Sequence, residues 1–321
     1  MATEVVTRLE TRGSGKYDQL LARCKGMTPV PTAVAHPCDD ASLGAALDAA
    51  RAGIIAPILV GPADRIRAVA REAGLDVTAH EIVDAPHSHA AAARAVELVR
   101  LGRAELLMKG SLHTDELMAE VVRREGGLRT DRRVSHVFVM DVPTYHKPLL
   151  ITDAAVNIAP TLDDKRDIVQ NAIDFAQALG ISRPKVAILS AVETVTTKIP
   201  STIDAAALCK MADRGQIRGG ILDGPLAFDN AISAEAARIK GIVSAVAGDP
   251  DVVVVPDLEA GNMLAKNLTF LSRADAAGVV LGARVPIILT SRADNERARI
   301  ASCGVAALYA AARRRPGTVG G

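Results

Sequence analysis

The chain has 321 residues, 49% of them hydrophobic but only 2% aromatic, and its 38 Lys and Arg against 37 Asp and Glu leave a formal net charge of +1. At ~150 residues per domain this length suggests about two domains, with a core built from Ala, Val, Leu and Ile rather than from rings. The near-zero charge gives no overall basic field for nucleic acid or an anionic membrane, and so few aromatics leave little from which to build base-stacking platforms. High hydrophobicity with little net charge also excludes a disordered chain. Cys24, Cys38, Cys209 and Cys303 are widely spaced with no C-x-x-C pair, so reduced thiols in a cytoplasmic protein are expected rather than a disulfide framework or a zinc knuckle. The first 20 residues carry Glu4, Arg8, Glu10, Arg12 and Lys16 and no apolar run, so no secretory signal is expected. No stretch of about 18 apolar residues suggests a membrane span.

In chain order, Leu43, Ala46, Leu47 and Ala50 repeat at helical spacing, with Asp40 as cap and Gly53 as stop. Residues 54–60 predict a buried strand, 63–73 a helix, 76–83 a weak strand, 89–101 a helix, 104–108 a strand and 115–125 a helix. Strands are expected at 134–142 and 148–152, a helix at 162–179, a strand at 185–189, and helices at 202–213 and 233–240. A strand at 251–255, a helix at 260–271, a strand at 285–290 and a long helix at 295–314 complete the pattern. Such alternation implies βαβ units and mostly parallel sheets covered by helices, an α/β fold.

The common nucleotide signatures are missing. Gly13 and Gly15 have no strand before them, and Tyr17 stands where a P-loop requires Ser or Thr. There is no G-x-S-x-G elbow and no H-E-x-x-H. Four other segments share one context, the end of a strand followed by a helix, where ligands of open α/β sheets collect. Met108–Asp115 brings Lys109, Gly110, Ser111 and Thr114, which suit an anion at a helix start; an ordinary turn capped by Thr114 fits the same residues. Asp223–Ala231 places two carboxylates around a Gly-Pro turn, Asp223 directed at a strand end and Asp229 either a ligand contact or a helix cap. Pro256–Asn267 offers Gly261 and Asn262, or simply an acidic first turn that complements the helix dipole. Leu289–Asp294 offers Ser291, Arg292 and Asp294, with Arg292 suited to a bidentate phosphate grip and Asp294 alternatively a helix cap.

Taken together, Leu106–Thr114, Ile151–Asn157, Lys185–Ser190, Asp223–Ala231, Pro256–Lys266 and Thr290–Asp294 closely resemble the phosphate acetyltransferase and phosphate butyryltransferase family, and residues 44–61 resemble its first lobe. The resemblance implies a two-lobe, three-layer αβα fold similar to the isocitrate and isopropylmalate dehydrogenases. One lobe would be 1–140 plus 290–321, the other 141–289, with the active-site cleft between them and a homodimer as the assembly. It implies reversible transfer of an acetyl or other short-chain acyl group between coenzyme A and inorganic phosphate. Coenzyme A is then a substrate, with no permanently bound cofactor and no catalytic metal. The partners are CoA or acyl-CoA and phosphate or acyl phosphate. Ser291, Arg292 and Asp294 are the implied catalytic residues. Lys109, Gly110, Ser111, His113, Thr114, Asn157, Asp223, Gly261 and Asn262 are the implied substrate-binding residues.

The acetyl branch carries an Asp six residues after the Arg of its Ser-Arg pair. Ala298 stands there, and Asp294 is the nearest carboxylate. That branch also places an Arg in the helix after the Gly-Ser-x-His loop, where Met118 and Ala119 stand. The alternatives are a phosphate butyryltransferase and a non-catalytic CoA-binding relative; a decarboxylating dehydrogenase of the same fold would need a nicotinamide and an acidic metal cluster.

Overall fold

The computed structural model describes residues 15–289 and 295–314. Its strands are β1 (Val30–Ala35), β2 (Ile55–Gly61), β3 (Glu81–Asp84), β4 (Leu106–Lys109), β5 (Ser135–Asp141), β6 (Leu149–Thr152), β7 (Lys185–Leu189), β8 (Ile221–Leu226), β9 (Val252–Val254), β10 (Asp275–Leu281) and β11 (Ile287–Ile288). Its helices are α1 (Lys16–Ala22), α2 (Asp40–Arg51), α3 (Ala63–Glu72), α4 (Ser88–Arg100), α5 (Thr114–Val121), α6 (Leu162–Ala178), α7 (Pro200–Asp213), α8 (Phe228–Ile232), α9 (Ala234–Ile239), α10 (Leu258–Phe270) and α11 (Glu296–Arg313). None is long and apolar enough to cross a membrane among the described residues.

The chain divides into two compact units. Among the described residues, the first holds 20–134, 277–289 and 295–314, and the second holds 15–19 and 135–276. These changes of unit come earlier in the chain than residues 140 and 290. Ser135 already opens β5, and Ala277 lies inside β10.

In the first unit the strands run β3-β2-β1-β4-β11-β10, parallel except for the antiparallel β10–β11 pair. Val34 is paired with Leu59 on one side and Met108 on the other, and all three are buried. Strands covered on both faces lose the polar–apolar alternation of a half-exposed strand. That explains two elements missing from the sequence expectation. β1 contains Pro31 and Thr32, and β10 reads Asp-Ala-Ala-Gly before its first Val. The strand expected at 285–290 shrinks to Ile287–Ile288, and the helix expected to run to 125 ends at Val121. Helix α11 buries Ala298, Ala301, Ser302, Ala306 and Ala307, small residues that permit close approach. Its Ser302 hydroxyl accepts the Gly278 amide at 3.0 Å and donates to the Ala298 carbonyl at 2.9 Å, tying the helix to β10.

The second unit runs β5-β6-β9-β7-β8, with β5 antiparallel to β6 and the rest parallel. Its core gathers Met140, Ile151, Leu189, Leu226 and Val253. Helix α6 begins with a reciprocal cap: Thr161 Oγ1 accepts the Asp164 amide, and Asp164 accepts the Thr161 amide. Such a cap stabilises by about 1 kcal/mol. The start of α1 is fixed to this unit by a buried ion pair, Lys16 Nζ to Asp141 Oδ1 at 2.9 Å. The Tyr17 hydroxyl also donates to the Val139 and Asp275 carbonyls.

Several caps fall one or two residues from their expected places. Asp39, not Asp40, accepts the Ser42 amide at the start of α2. His113, not Thr114, occupies the cap position of α5, without a side-chain bond. Asn295 accepts the Ala298 amide at 2.8 Å and so starts α11, the role that Asp294 had as an alternative. Asp229 does not cap α8, whose cap position is Ala227; it pairs with Lys240 at 3.1 Å.

Candidate active site

In the first unit the carboxyl ends of β1 and β4 lie side by side and continue into loops that remain bonded to each other. The Gly110 amide donates to the Ala35 carbonyl and the Ser111 amide to the His36 carbonyl, both at 2.8 Å. The absence of a side chain at Gly110 makes this possible. A Cβ there would stand 2.5 Å from the His36 oxygen and 2.6 Å from its carbonyl carbon, and would also strike the Ala35 oxygen. Ser111 Oγ donates to the His36 carbonyl at 2.9 Å, lies 3.0 Å from His36 Nδ1, and accepts the Cys38 amide at 3.3 Å. Lys109 is half-buried, and its ammonium donates to the Gly110 carbonyl at 3.1 Å. His113 and Thr114 are exposed at the mouth of α5.

The amides of Gly110 and Ser111 are bonded to carbonyls and so are not among the free N–H groups expected at the helix start. The loop carries the Lys109 ammonium and the side chains of Ser111, His113 and Thr114. The first turn of α5 is itself acidic. The Ser88 hydroxyl holds the Glu116 carboxyl below its ordinary pKa, with burial opposing and His89 and His113 assisting.

In the second unit three of the expected residues share the end of β6. Asp153, which follows Thr152, is 3% exposed and accepts the amides of Ala155, Val156 and Asn157 and the Asn157 side-chain amide, the last at 2.6 Å. Asn157 is therefore fixed by Asp153. Gly261, in the first turn of α10, packs where a Cβ would meet Val255 Cγ2 at 2.7 Å and Ala154 Cβ at 2.8 Å. That contact brings the Asn262 side-chain amide to the Ala154 carbonyl at 3.4 Å. Asp257 caps α10 by accepting the Ala260 amide at 2.8 Å. Asp223 lies inside β8, paired with Ala187 rather than beyond the strand end, and its carboxylate accepts the Gly224 amide at 2.9 Å.

Two histidines escaped the sequence reading. His36 follows directly after β1, and missing that strand hid it. His136, on β5, is buried, and burial lowers its pKa to about 4 against the pull of Asp153, so it is neutral near pH 7. The signal for both was a His at an edge of a short apolar run.

Ser291, Arg292 and Asp294 lie outside the described residues. Ala298, at the position where the acetyl branch carries a carboxylate, is buried inside α11. No cluster of three or more His, Cys, Asp or Glu suited to a metal occurs among the described residues.

The cysteines are poor nucleophiles. Burial raises Cys24 and pushes Cys38 up to about 11, Cys209 to about 12 and Cys303 to about 12, in the last three far from the thiolate that reacts. Acyl transfer through an enzyme thioester is therefore not expected. Incubation with radiolabelled acetyl-CoA followed by acid quench should leave no label on the protein, and stoichiometric labelling would defeat this expectation.

Residues 87–307 match the model of the family described as phosphate acetyl/butaryl transferase. A phosphate acetyltransferase of Rhizobium meliloti is 70% identical over 299 residues, covering 93% of this chain and 95% of the relative. A phosphate butyryltransferase of Clostridium acetobutylicum is 42% identical over 294 residues, covering 92% and 98%. Among solved structures, a branched-chain phosphotransacylase of Enterococcus faecalis V583 superposes with a TM-score of 0.77 at 31% identity, covering 88% of this chain and 99% of that one.

Proposed function

The chain belongs to this phosphate acyltransferase family, and on that premise we propose that it transfers an acetyl group reversibly between coenzyme A and inorganic phosphate. The observation that carries the acetyl reading is the 70% identity to a phosphate acetyltransferase across nearly the whole chain, against 42% to a butyryltransferase.

In the direction that consumes acetyl phosphate, the CoA sulfur attacks the carbonyl carbon. The C–S bond forms, the C–O bond to phosphorus breaks, and phosphate leaves with the electron pair. An unperturbed thiol has a pKa near 8.5, so cationic surroundings or a base must favour the thiolate. Lys109 supplies positive charge at the end of β4, and Ser111 supplies a hydroxyl. We assign Ser291 and Arg292 to the developing charge on the carbonyl and phosphate oxygens, where preorganised donors act most strongly. Asp294 is the proposed proton acceptor; with Asn295 capping α11, its carboxylate is not required as the cap. Asn157, Asn262 and Asp223 are proposed to contact substrate. Holding two substrates in register supplies much of the remaining acceleration. The enzyme is proposed to be cytoplasmic and homodimeric. Sedimentation velocity tests the assembly.

Steady-state rates with acetyl-, propionyl- and butyryl-CoA and phosphate test the acyl preference. Acetyl-CoA is expected to give a kcat/KM at least about 10-fold above butyryl-CoA, the scale set by methylene discrimination in a pocket. The reverse order would establish the butyryl reading. CoA binding without turnover of any acyl donor would establish a non-catalytic relative.

A further inference from the structure

We propose that His36 is a positioning residue that holds the Ser111 oxygen where the Lys109–Thr114 loop receives phosphate or acyl phosphate. The proposal rests on the assignment of this loop to the phosphate group.

His36 occupies a backbone conformation that its sequence disfavours. Its φ is +54°, in the left-handed region that side chains rarely adopt. Pro37 follows it and restricts it further. Strained positions of this kind persist where the surrounding structure requires them, often at functional sites. Here the conformation aims the carbonyl at two neighbours, Ser111 and Cys38, whose amide also donates to it at 2.9 Å. The His36 carbonyl accepts the Ser111 amide at 2.8 Å and the Ser111 hydroxyl at 2.9 Å, while the ring's Nδ1 lies 3.0 Å from the same Oγ.

The backbone contacts alone would be served better by Gly or Asn, which tolerate left-handed φ. A histidine adds the ring nitrogen. Its role emerges when the serine hydroxyl turns from the His36 carbonyl toward a phosphate oxygen. Oγ then loses its own donor bond but is still held by Nδ1–H of His36 and by the longer branch of the Cys38 amide, which is shared with the His36 carbonyl.

The charges facing the ring suit this role. Burial lowers its pKa first, and Arg65 of α3 lowers it further, while Glu116 of α5 and Asp39 before α2 oppose them. The ring is neutral at pH 7. It can donate from Nδ1 without adding a second cation beside Lys109.

The test compares His36→Gly, His36→Asn, Ser111→Ala and the double variant His36→Gly/Ser111→Ala. Glycine accepts the turn and keeps the carbonyl but removes the ring; asparagine accepts the turn and returns a side-chain amide. His36→Gly is expected to raise KM for phosphate about 10-fold, the scale of one hydrogen bond. The KM for acetyl-CoA should change less than about twofold, because no contact to that substrate is removed. The melting temperature should not fall, and His36→Asn should recover most of the loss. The double variant should be no worse than Ser111→Ala, because the two residues act as one unit. A wild-type phosphate KM in His36→Gly, with Ser111→Ala impaired, would overturn the role of His36 and leave the loop assignment standing. Wild-type kinetics in Ser111→Ala would overturn the loop assignment and the proposal with it. Additive losses in the double variant, or equal rises in both Michaelis constants, would also overturn it, since His36 would then act elsewhere.

Discussion

Replacing Gly110 by alanine is expected to lower kcat/KM by at least about 100-fold, since misplacing a reacting group by about 1 Å costs on that order. The single methyl would stand 2.5 Å from the His36 oxygen and 2.6 Å from its carbonyl carbon, and the Ala35 oxygen closes the other side. All three are backbone atoms at the end of β1, so no flexible side chain can swing away. The loop must lift instead, breaking the Gly110-to-Ala35 and Ser111-to-His36 bonds and carrying Lys109 and Ser111 with it. Overpacking of this kind costs roughly 1–3 kcal/mol or more. At the upper figure the melting temperature should fall by roughly 6–12 °C. Circular dichroism melts and steady-state rates check both parts. A variant that melts within about 2 °C of the parent would show that the two strand ends can separate freely.

The second large effect is expected at Arg292. Its replacement by alanine should lower kcat/KM by about 100-fold or more, equivalent to about 2.7 kcal/mol of lost transition-state stabilisation. The Ser291-Arg292 pair precedes α11 by a few residues in the sequence, and a guanidinium can grip two oxygens at once. Lysine should restore only part of the rate, because an ammonium returns the charge but not the two-pronged geometry. Pre-steady-state mixing with acetyl phosphate and CoA would show whether the loss lies in the chemical step. A folded Arg292→Ala variant with a near-parental rate would remove this residue from the chemistry.

The α/β class and most helices were legible because helical periodicity and glycine stops survive in a single sequence. Helix α6, for example, begins at Leu162 as expected, with Leu179 and Gly180 closing it. β1 was not legible, since Pro31 and Thr32 break its apolar run and burial on both faces removes any alternation. That omission had a functional consequence, because the partner of Ser111 sits at the end of the missing strand. The loop at Lys109–Thr114 could be located from its strand–turn–helix context, but the bonds that occupy its amides could not. Those depend on which strand lies next to β4, and only the fold determines that. The arrangement of Asn157 around Asp153 was hidden for a similar reason. One carboxylate accepting three consecutive amides and a side-chain amide is a property of a folded loop, while the string Thr-Asp-Ala-Ala-Val-Asn shows only that suitable groups are present.

The strand order of the first unit also governs when it can form during synthesis. β4 is completed at Lys109, but β11, its neighbour on one side, is not made until Ile288. A nascent chain therefore carries an unpaired strand edge, Leu106–Lys109, through the translation of the whole span from Ser135 to Ala276. At about 5–20 residues per second, that span takes on the order of ten seconds or more. The second unit needs no such delay, since every strand of its sheet lies between Ser135 and Val254. The second unit can therefore complete its sheet before β11 is available to close the central edge of the first. In the interval that edge is the place where aggregation or chaperone capture competes with the native partner.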